Sequence, residues 1–277
     1  MNQHTLKRTY SFEGNGLHTG TYAHMKVLPA PEGSGIRFCR TDLPGQPVIE
    51  ALAENVSNTA RSTTLSQNGA DAVTVEHIMS ALMGLGVDNA LIELDNLEVP
   101  ILDGSARLYA EAFLEDGLQD QGVPREYINL PLAVEVHDPH SGSRVRIEPA
   151  QAPSAEITVD FNSPVLGVQN ACWDEETAYG KELAPCRTFC FYREIEPLLK
   201  NGLIKGGDLS NALVVTDDGY MGNPQLHFPD ECGRHKLLDL LGDLRLSGGY
   251  LNARITAFKP GHSINTKAAK ALRAILK

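Results

Sequence analysis

Positive charge is scarce in this sequence. Lys and Arg number 24 against 35 Asp and Glu, giving a formal net charge of −11 at pH 7. Binding to nucleic acid through its phosphates needs a basic face, so this balance argues against nucleic acid as the main partner. Long apolar runs are missing too. No stretch approaches the roughly 18 apolar residues of a membrane-crossing helix. The opening MNQHTLKRTYSFEG has no apolar segment of the kind a secretory signal carries. Cysteine is sparse, with five residues at 39, 172, 186, 190 and 232 and no C-x-x-C pair. An odd count without that spacing reads as reduced thiols in a cytoplasmic protein rather than a disulfide framework.

What is present describes an ordinary globular protein. Hydrophobic residues make up 42% and charged residues 21% of 277 positions, enough to bury a sizeable core in two domains. Short β-like runs at 9–13, 23–28 and 36–40 alternate with Gly/Pro turns. The hydroxyl-rich TARSTTLS (59–66) comes next, then a helix expected over 74–85 with Thr74 as its N-cap. A strand at 89–95, a DGS turn at 103–105 and a helix at 106–114 complete the first half. The second half repeats the order, with strands at 132–137, 144–147 and 156–161, a helix at 235–246, a strand at 250–258 and a helix at 266–276. His77 and His235 are 158 residues apart, and Gly104 and Gly261 are 157 apart, so the register itself suggests duplication. The expected fold is α+β: two pseudo-repeated domains, 1–121 and 122–277, each a sheet with two helices, the helices packed between the sheets. The join is placed in the polar QDQGVPR (119–125). Two segments stand outside the repeat, a small insert near 50–70 and an apolar β-α-β insert near 193–216. Elaborated loops of that length often cover a ligand.

The chemistry concentrates in GRHKLLDLLGD (233–243). Its leucines recur at helical spacing, while His235, Asp239 and Asp243 fall one turn apart on a second face. A His and an Asp at i and i+4 can reach one metal ion, and His77 is the best candidate for a third ligand. Three protein ligands leave a fourth position open, as catalytic zinc requires. Glu76 is next to His77 and points about 100° away from it on a helix, which suits a general base rather than a ligand. His262, expected in a turn before the last helix, could be held cationic by Asp243 and act on a leaving amine or an oxyanion. Thr188 offers a hydroxyl to an oxyanion, and Lys236 a charge to an anion. Taken one at a time these residues have ordinary readings: His77 as a core histidine, Lys236 as a solvated charge, Phe161 and Phe189 as core. The joint pattern is what points to a site.

TVEH (74–77), DGS (103–105), RTF (187–189), HKLLDLLGD (235–243) and GHSIN (261–265), with GLHTG (16–20) and RTD (40–42), resemble the UDP-3-O-acyl-N-acetylglucosamine deacetylase family, LpxC, over essentially the whole chain. The resemblance implies a zinc hydrolase of lipid A biosynthesis in Gram-negative bacteria, with zinc on His77, His235 and Asp239 and iron(II) able to replace it. It implies Glu76 as base, His262 assisted by Asp243, Thr188 at the oxyanion, Phe189 against the sugar, Lys236 near the polar part of the substrate and Phe161 near the nucleotide. The 193–216 insert would form a passage for the acyl chain, with Leu198, Gly207 and Ala212 among its walls. The chain departs from the family at Gly207–Ala212, where Asp208 and Ser210 are exchanged relative to the usual Gly-Ser-Leu-Asp-Asn-Ala. Some relatives continue into a hydroxyacyl-carrier-protein dehydratase, and this chain is expected to be the deacetylase part of such a fusion, monomeric as a single domain pair. The rival classes are a zinc amidohydrolase for another amide and a metal-free binding protein on the same scaffold.

Overall fold

A computed structural model describes residues 1–275. Two five-stranded sheets share one plan. The first places Tyr10–Asn15, Tyr22–Pro29, Ala90–Leu94, Ile36–Arg40 and Val48–Glu50 side by side in that order. The second places Val134–His137, Arg144–Pro149, Ala253–Phe258, Ser154–Asp160 and Val168–Asp174 in the matching order. In both sheets the third and fourth strands are parallel and every other neighbouring pair is antiparallel. Burial alternates residue by residue along Ala253–Phe258, as a strand with one face on the core must show.

The helices are α1 (Glu76–Leu85), α2 (Arg107–Asp116), α3 (Tyr179–Glu182), α4 (Tyr192–Lys200), α5 (Glu231–Arg245) and α6 (His262–Ile275). Helix α1 packs on α5, and α5 and α6 lie on the second sheet. Helix α2 meets the first sheet through edge-on contacts of Tyr109 and Phe113 with Phe12 and Tyr10. In α5 every residue except Arg234 and Lys236 is buried, as expected for a helix sandwiched between other layers. One continuous core runs through both halves and includes Leu237, Leu238, Leu240, Leu241 and Leu244.

Several local expectations differ from the structure. The polar 119–125 is not a linker: Leu118–Pro124 is a strand paired antiparallel with Asn2–Leu6, so the 121/122 boundary falls inside it. Its exposed, alternating polar residues belong to a two-stranded ribbon. Thr74 does not cap α1. Its φ is +60° and its hydroxyl donates to Glu98 Oε1 at 2.7 Å, while Val75 holds the N-cap position. His262 is the first residue of α6, not part of a preceding turn. The expected end of that helix at Leu276 lies outside the described residues. The insert near 193–216 begins earlier, because Phe189–Phe191 and Leu213–Val215 pair in parallel with α4 between them. The insert near 50–70 is a three-stranded sheet of Val56–Asn58, Thr64–Gln67 and Ala70–Ala72.

Candidate active site

Helices α1 and α5 approach unusually closely at Gly242. A Cβ there would overlap the Glu76 carbonyl oxygen and stand 3.1 Å from the Ser80 nitrogen, so only glycine admits this approach. The close approach sets His77 of α1 opposite His235 and Asp239 of α5.

One nitrogen of each histidine and one carboxylate oxygen all lie within 4.8 Å of one another. Asp239 Oδ1 is 3.4 Å from His235 Nε2 and 3.7 Å from His77 Nε2. His235 Nδ1 donates to the Cys186 carbonyl at 3.0 Å, which leaves the Nε2 lone pair facing the cluster. Burial pushes the His77 imidazole down to about 3, assisted by His235 beside it, and burial lowers His235 as well. Both rings are therefore neutral at pH 7. Burial alone would raise Asp239, but His235, Lys236 and His262 outweigh it and keep the carboxylate ionised. Lys236 Nζ bonds Oδ2 at 2.9 Å, whereas Oδ1 is buried with no hydrogen-bond partner. Two neutral imidazoles and an unpartnered carboxylate oxygen converge on one point, a donor set that fits a divalent cation with two nitrogen ligands and one oxygen ligand.

Two titratable groups flank this cluster. Burial, reinforced by Asp239 and Asp243, raises the Glu76 carboxyl to about 7 against the opposing charge of His262 and the Thr63 N–H. The Thr63 N–H donates to Glu76 Oε2 at 3.0 Å. His262 is also buried, which by itself would lower it, but Asp243, Glu76 and Asp239 raise it to about 9. Its Nδ1 donates to Asp243 Oδ2 at 3.0 Å, and its Nε2 is 3.8 Å from Glu76 Oε1. A base poised near neutrality beside an acid charged at neutrality is the pairing that proton-transfer catalysis needs.

Thr188 is fixed by its backbone. Its N–H donates to the Gly104 carbonyl at 2.7 Å, and its carbonyl accepts from the Leu213 N–H at 2.9 Å. Gly104 has φ +80°, and a Cβ on it would overlap the Asn211 carbonyl, so the DGS turn is clamped between the Thr188 loop and the insert. Next to Thr188, Arg187 bonds the buried Glu231 of α5 through its N–H and its guanidinium.

A cavity of about 350 Å³ opens over the cluster, with Glu76, His77, Thr188, Phe189, His235, Lys236, Asp239 and His262 in its walls. A second cavity of about 320 Å³ shares Leu17, Arg61, Thr188 and Phe189 with it and runs under the insert. Ile195, Leu198, Leu199, Ile204, Ala212 and Val214 line it, and Gly207 contributes to the wall. Phe161 stands behind Phe189, with ring centroids 5.4 Å apart and edge-on. Lys236 Nζ lies 5.5 Å from the Phe189 ring centre. In the exchanged segment, Asp208 Oδ1 accepts from both the N–H and the hydroxyl of Ser210.

Three contributors escaped the sequence reading. Thr63 and Asn265 hold Asp243. Glu98, fully buried, accepts from the N–H groups of His18 and Thr19 and the hydroxyls of Thr19 and Thr74, fixing the GLHTG loop against the start of α1. The only sequence signal for Thr63 was the hydroxyl-rich TARSTTLS.

Residues 3–274 match the family described as LpxC: UDP-3-O-acyl N-acetylglycosamine deacetylase. Among similar proteins, the bifunctional enzyme LpxC/FabZ of Porphyromonas gingivalis is 43% identical over 99% of this chain and 65% of its own length. A UDP-3-O-acyl-N-acetylglucosamine deacetylase of Trichormus variabilis is 42% identical over 99% of both chains. The one from Myxococcus xanthus is 41% identical over 97% of this chain and 85% of its own. The chain thus spans slightly under two thirds of the bifunctional relatives and nearly all of the Trichormus protein. With the match running through both sheets and all the residues around the cluster, this chain belongs to the LpxC family of UDP-3-O-acyl-N-acetylglucosamine deacetylases.

Proposed function

We propose that this protein hydrolyses the N-acetyl group of a UDP-3-O-(3-hydroxyacyl)-N-acetylglucosamine, releasing acetate in the committed step of lipid A biosynthesis. The observation that carries the reading is a single one. The His77–His235–Asp239 cluster sits between Glu76 and His262 at the junction of a polar cavity and an apolar one. Amide hydrolysis needs the first three groups with their two neighbours, and a sugar bearing a fatty chain needs both cavities.

His77, His235 and Asp239 would hold zinc, with iron(II) the alternative for the same donors. The ion supplies Lewis-acid chemistry when bound. The remaining work falls to the side chains. Glu76, deprotonated, takes a proton from the attacking water as its oxygen adds to the acetyl carbonyl carbon. The Thr188 hydroxyl donates to the carbonyl oxygen as it becomes negative. His262, kept protonated by Asp243, gives a proton to the amide nitrogen as the carbon–nitrogen bond breaks. Acetate and a free amine remain. Phe189 offers the sugar an apolar face, with Phe161 behind it on the nucleotide side, and Lys236 offers charge to polar groups. The second cavity, bounded by Leu198, Gly207 and Ala212, takes the acyl chain.

This reading includes two structural units that meet after the strand Leu118–Pro124, working in the cytoplasm as one monomeric pair. Among the described residues no helix is long and apolar enough to cross a membrane. It also includes a dehydratase partner downstream on the same polypeptide, as in the relatives named LpxC/FabZ; the reading frame beyond codon 277 tests that. The activity itself is tested by following acetate release from the acylated sugar nucleotide and from the same molecule without its acyl chain. Release that depends strongly on the chain supports the reading. Equal release from both would remove the role given to the second cavity, and no release would refute the activity.

A further inference from the structure

We propose that Thr63 is the positioning residue that aligns the base and the acid of this site with each other. The inference rests on the deacetylase reading for its kinetic consequence, but its geometry stands independently. Thr63 is fully buried and makes contacts in two directions. Its backbone N–H holds Glu76 Oε2 at 3.0 Å, and its hydroxyl donates to Asp243 Oδ1 at 2.6 Å. Each carboxylate is left with one other oxygen, and both of those face the same imidazole. Asp243 Oδ2 is 3.0 Å from His262 Nδ1, and Glu76 Oε1 is 3.8 Å from His262 Nε2. The Thr63 hydroxyl is itself 3.4 Å from His262 Nδ1. One residue therefore sets the rotation of the two carboxyl groups on opposite edges of the ring.

The arrangement is locked from both ends. Asn265 Nδ2 shares Asp243 Oδ2 at 2.9 Å, so the Asp243 carboxylate has donors on both oxygens and cannot turn without breaking one of them. The Thr63 carbonyl accepts the Val75 N–H at 3.3 Å, which anchors Thr63 to the start of α1, where Glu76 begins the helix. Removing the hydroxyl leaves Asp243 Oδ1 buried without a donor while the backbone contact to Glu76 persists. Asp243 is then held through Oδ2 alone, by Asn265 and the ring itself, so its carboxylate can pivot about that oxygen and the ring loses its fixed orientation toward the leaving nitrogen. This is the outer-layer control whose loss typically costs about 10- to 100-fold in activity.

Thr63→Val keeps the shape and removes the hydroxyl, whereas Thr63→Ser keeps the hydroxyl and removes the methyl. The expected result is kcat for acetate release down about 10- to 100-fold in Thr63→Val with KM within a few-fold of wild type, and kcat near wild type in Thr63→Ser. Protein labelled with ¹⁵N-histidine supplies a readout that needs no activity. The His262 ring-nitrogen signals should move in Thr63→Val and hold in Thr63→Ser, with His77 and His235 unchanged in both. Equal loss in both variants, or an unmoved His262 signal in Thr63→Val, would overturn the proposal. A His262 signal that moves in Thr63→Val, when the wild-type protein releases no acetate, would support the positioning role and count against the deacetylase reading.

Discussion

Gly242→Ala separates local helix chemistry from the packing that builds the site. In an isolated helix the change should help, because alanine is favoured over glycine by about 1 kcal/mol. The structure demands the opposite sign. The new methyl would overlap the Glu76 carbonyl oxygen, with the Glu76 carbonyl carbon at 3.0 Å and the Ser80 nitrogen at 3.1 Å. These are backbone atoms and cannot turn aside, so α1 and α5 must separate. Overpacking of this kind costs about 1–3 kcal/mol, and rigid backbone neighbours place it at the upper end. After the propensity gain, the net loss is about 2 kcal/mol, or roughly 4–8 °C in Tm. His77 is on one helix and His235 and Asp239 are on the other, so the same displacement opens the ligand set. Zinc affinity should fall at least about 10-fold. Thermal unfolding and competition against a chromophoric chelator measure the two effects. Gly180→Ala is the control, since its methyl would meet only the end of the Leu114 side chain, which can move. A Gly242→Ala protein with unchanged or higher Tm and unchanged metal affinity would refute the reasoning.

Other consequences follow from the same geometry. Glu76→Gln should retain its metal and lose about 10²-fold or more in kcat, since it keeps the shape and removes the base; metal analysis beside kinetics checks both halves. Acetate release should rise as pH climbs through about 7, where Glu76 loses its proton, and fall through about 9, where His262 loses its own. A bound cation's charge moves both limbs toward lower pH. An ascending limb that survives in Glu76→Gln would contradict the assignment. Arg125→Ala should destabilise the fold by about 3–5 kcal/mol, because it strands the carboxylate of a buried pair. Arg125 bonds Asp88 at 2.7 and 2.8 Å and lies 3.8 Å over the Tyr250 ring, and the urea midpoint reports its loss.

Much of this site was legible because its chemistry is periodic. His235 and Asp239 are one helical turn apart, so the sequence alone places them on one face. The duplication was legible for a similar reason: two halves with matching element order yield sheets with matching strand order. The parts that were not legible depend on partners far along the chain. Thr63 reaches Asp243 across 180 residues, and no local pattern marks that contact. Thr74 has the chemistry of an N-cap, but Glu98 takes its hydroxyl and the backbone turns left-handed instead. The strand Leu118–Pro124 read as the join because its partner is the far N-terminus and Gln119, Asp120, Gly122 and Pro124 are exposed. Val168–Asp174 went unread because its residue types do not follow its burial: Val168 and Cys172 are exposed while Gln169 is buried.

The central claim is that His77, His235 and Asp239 hold the ion on which hydrolysis depends. Acetate release from the acylated sugar nucleotide, followed as dipicolinate strips the protein and zinc is then restored, tests it most directly alongside His77→Ala. The account predicts one zinc per chain in wild type, activity lost to the chelator and recovered with the ion, and neither metal nor activity in His77→Ala. Full activity in chelator-stripped protein, or a His77→Ala chain that retains its zinc, would contradict it.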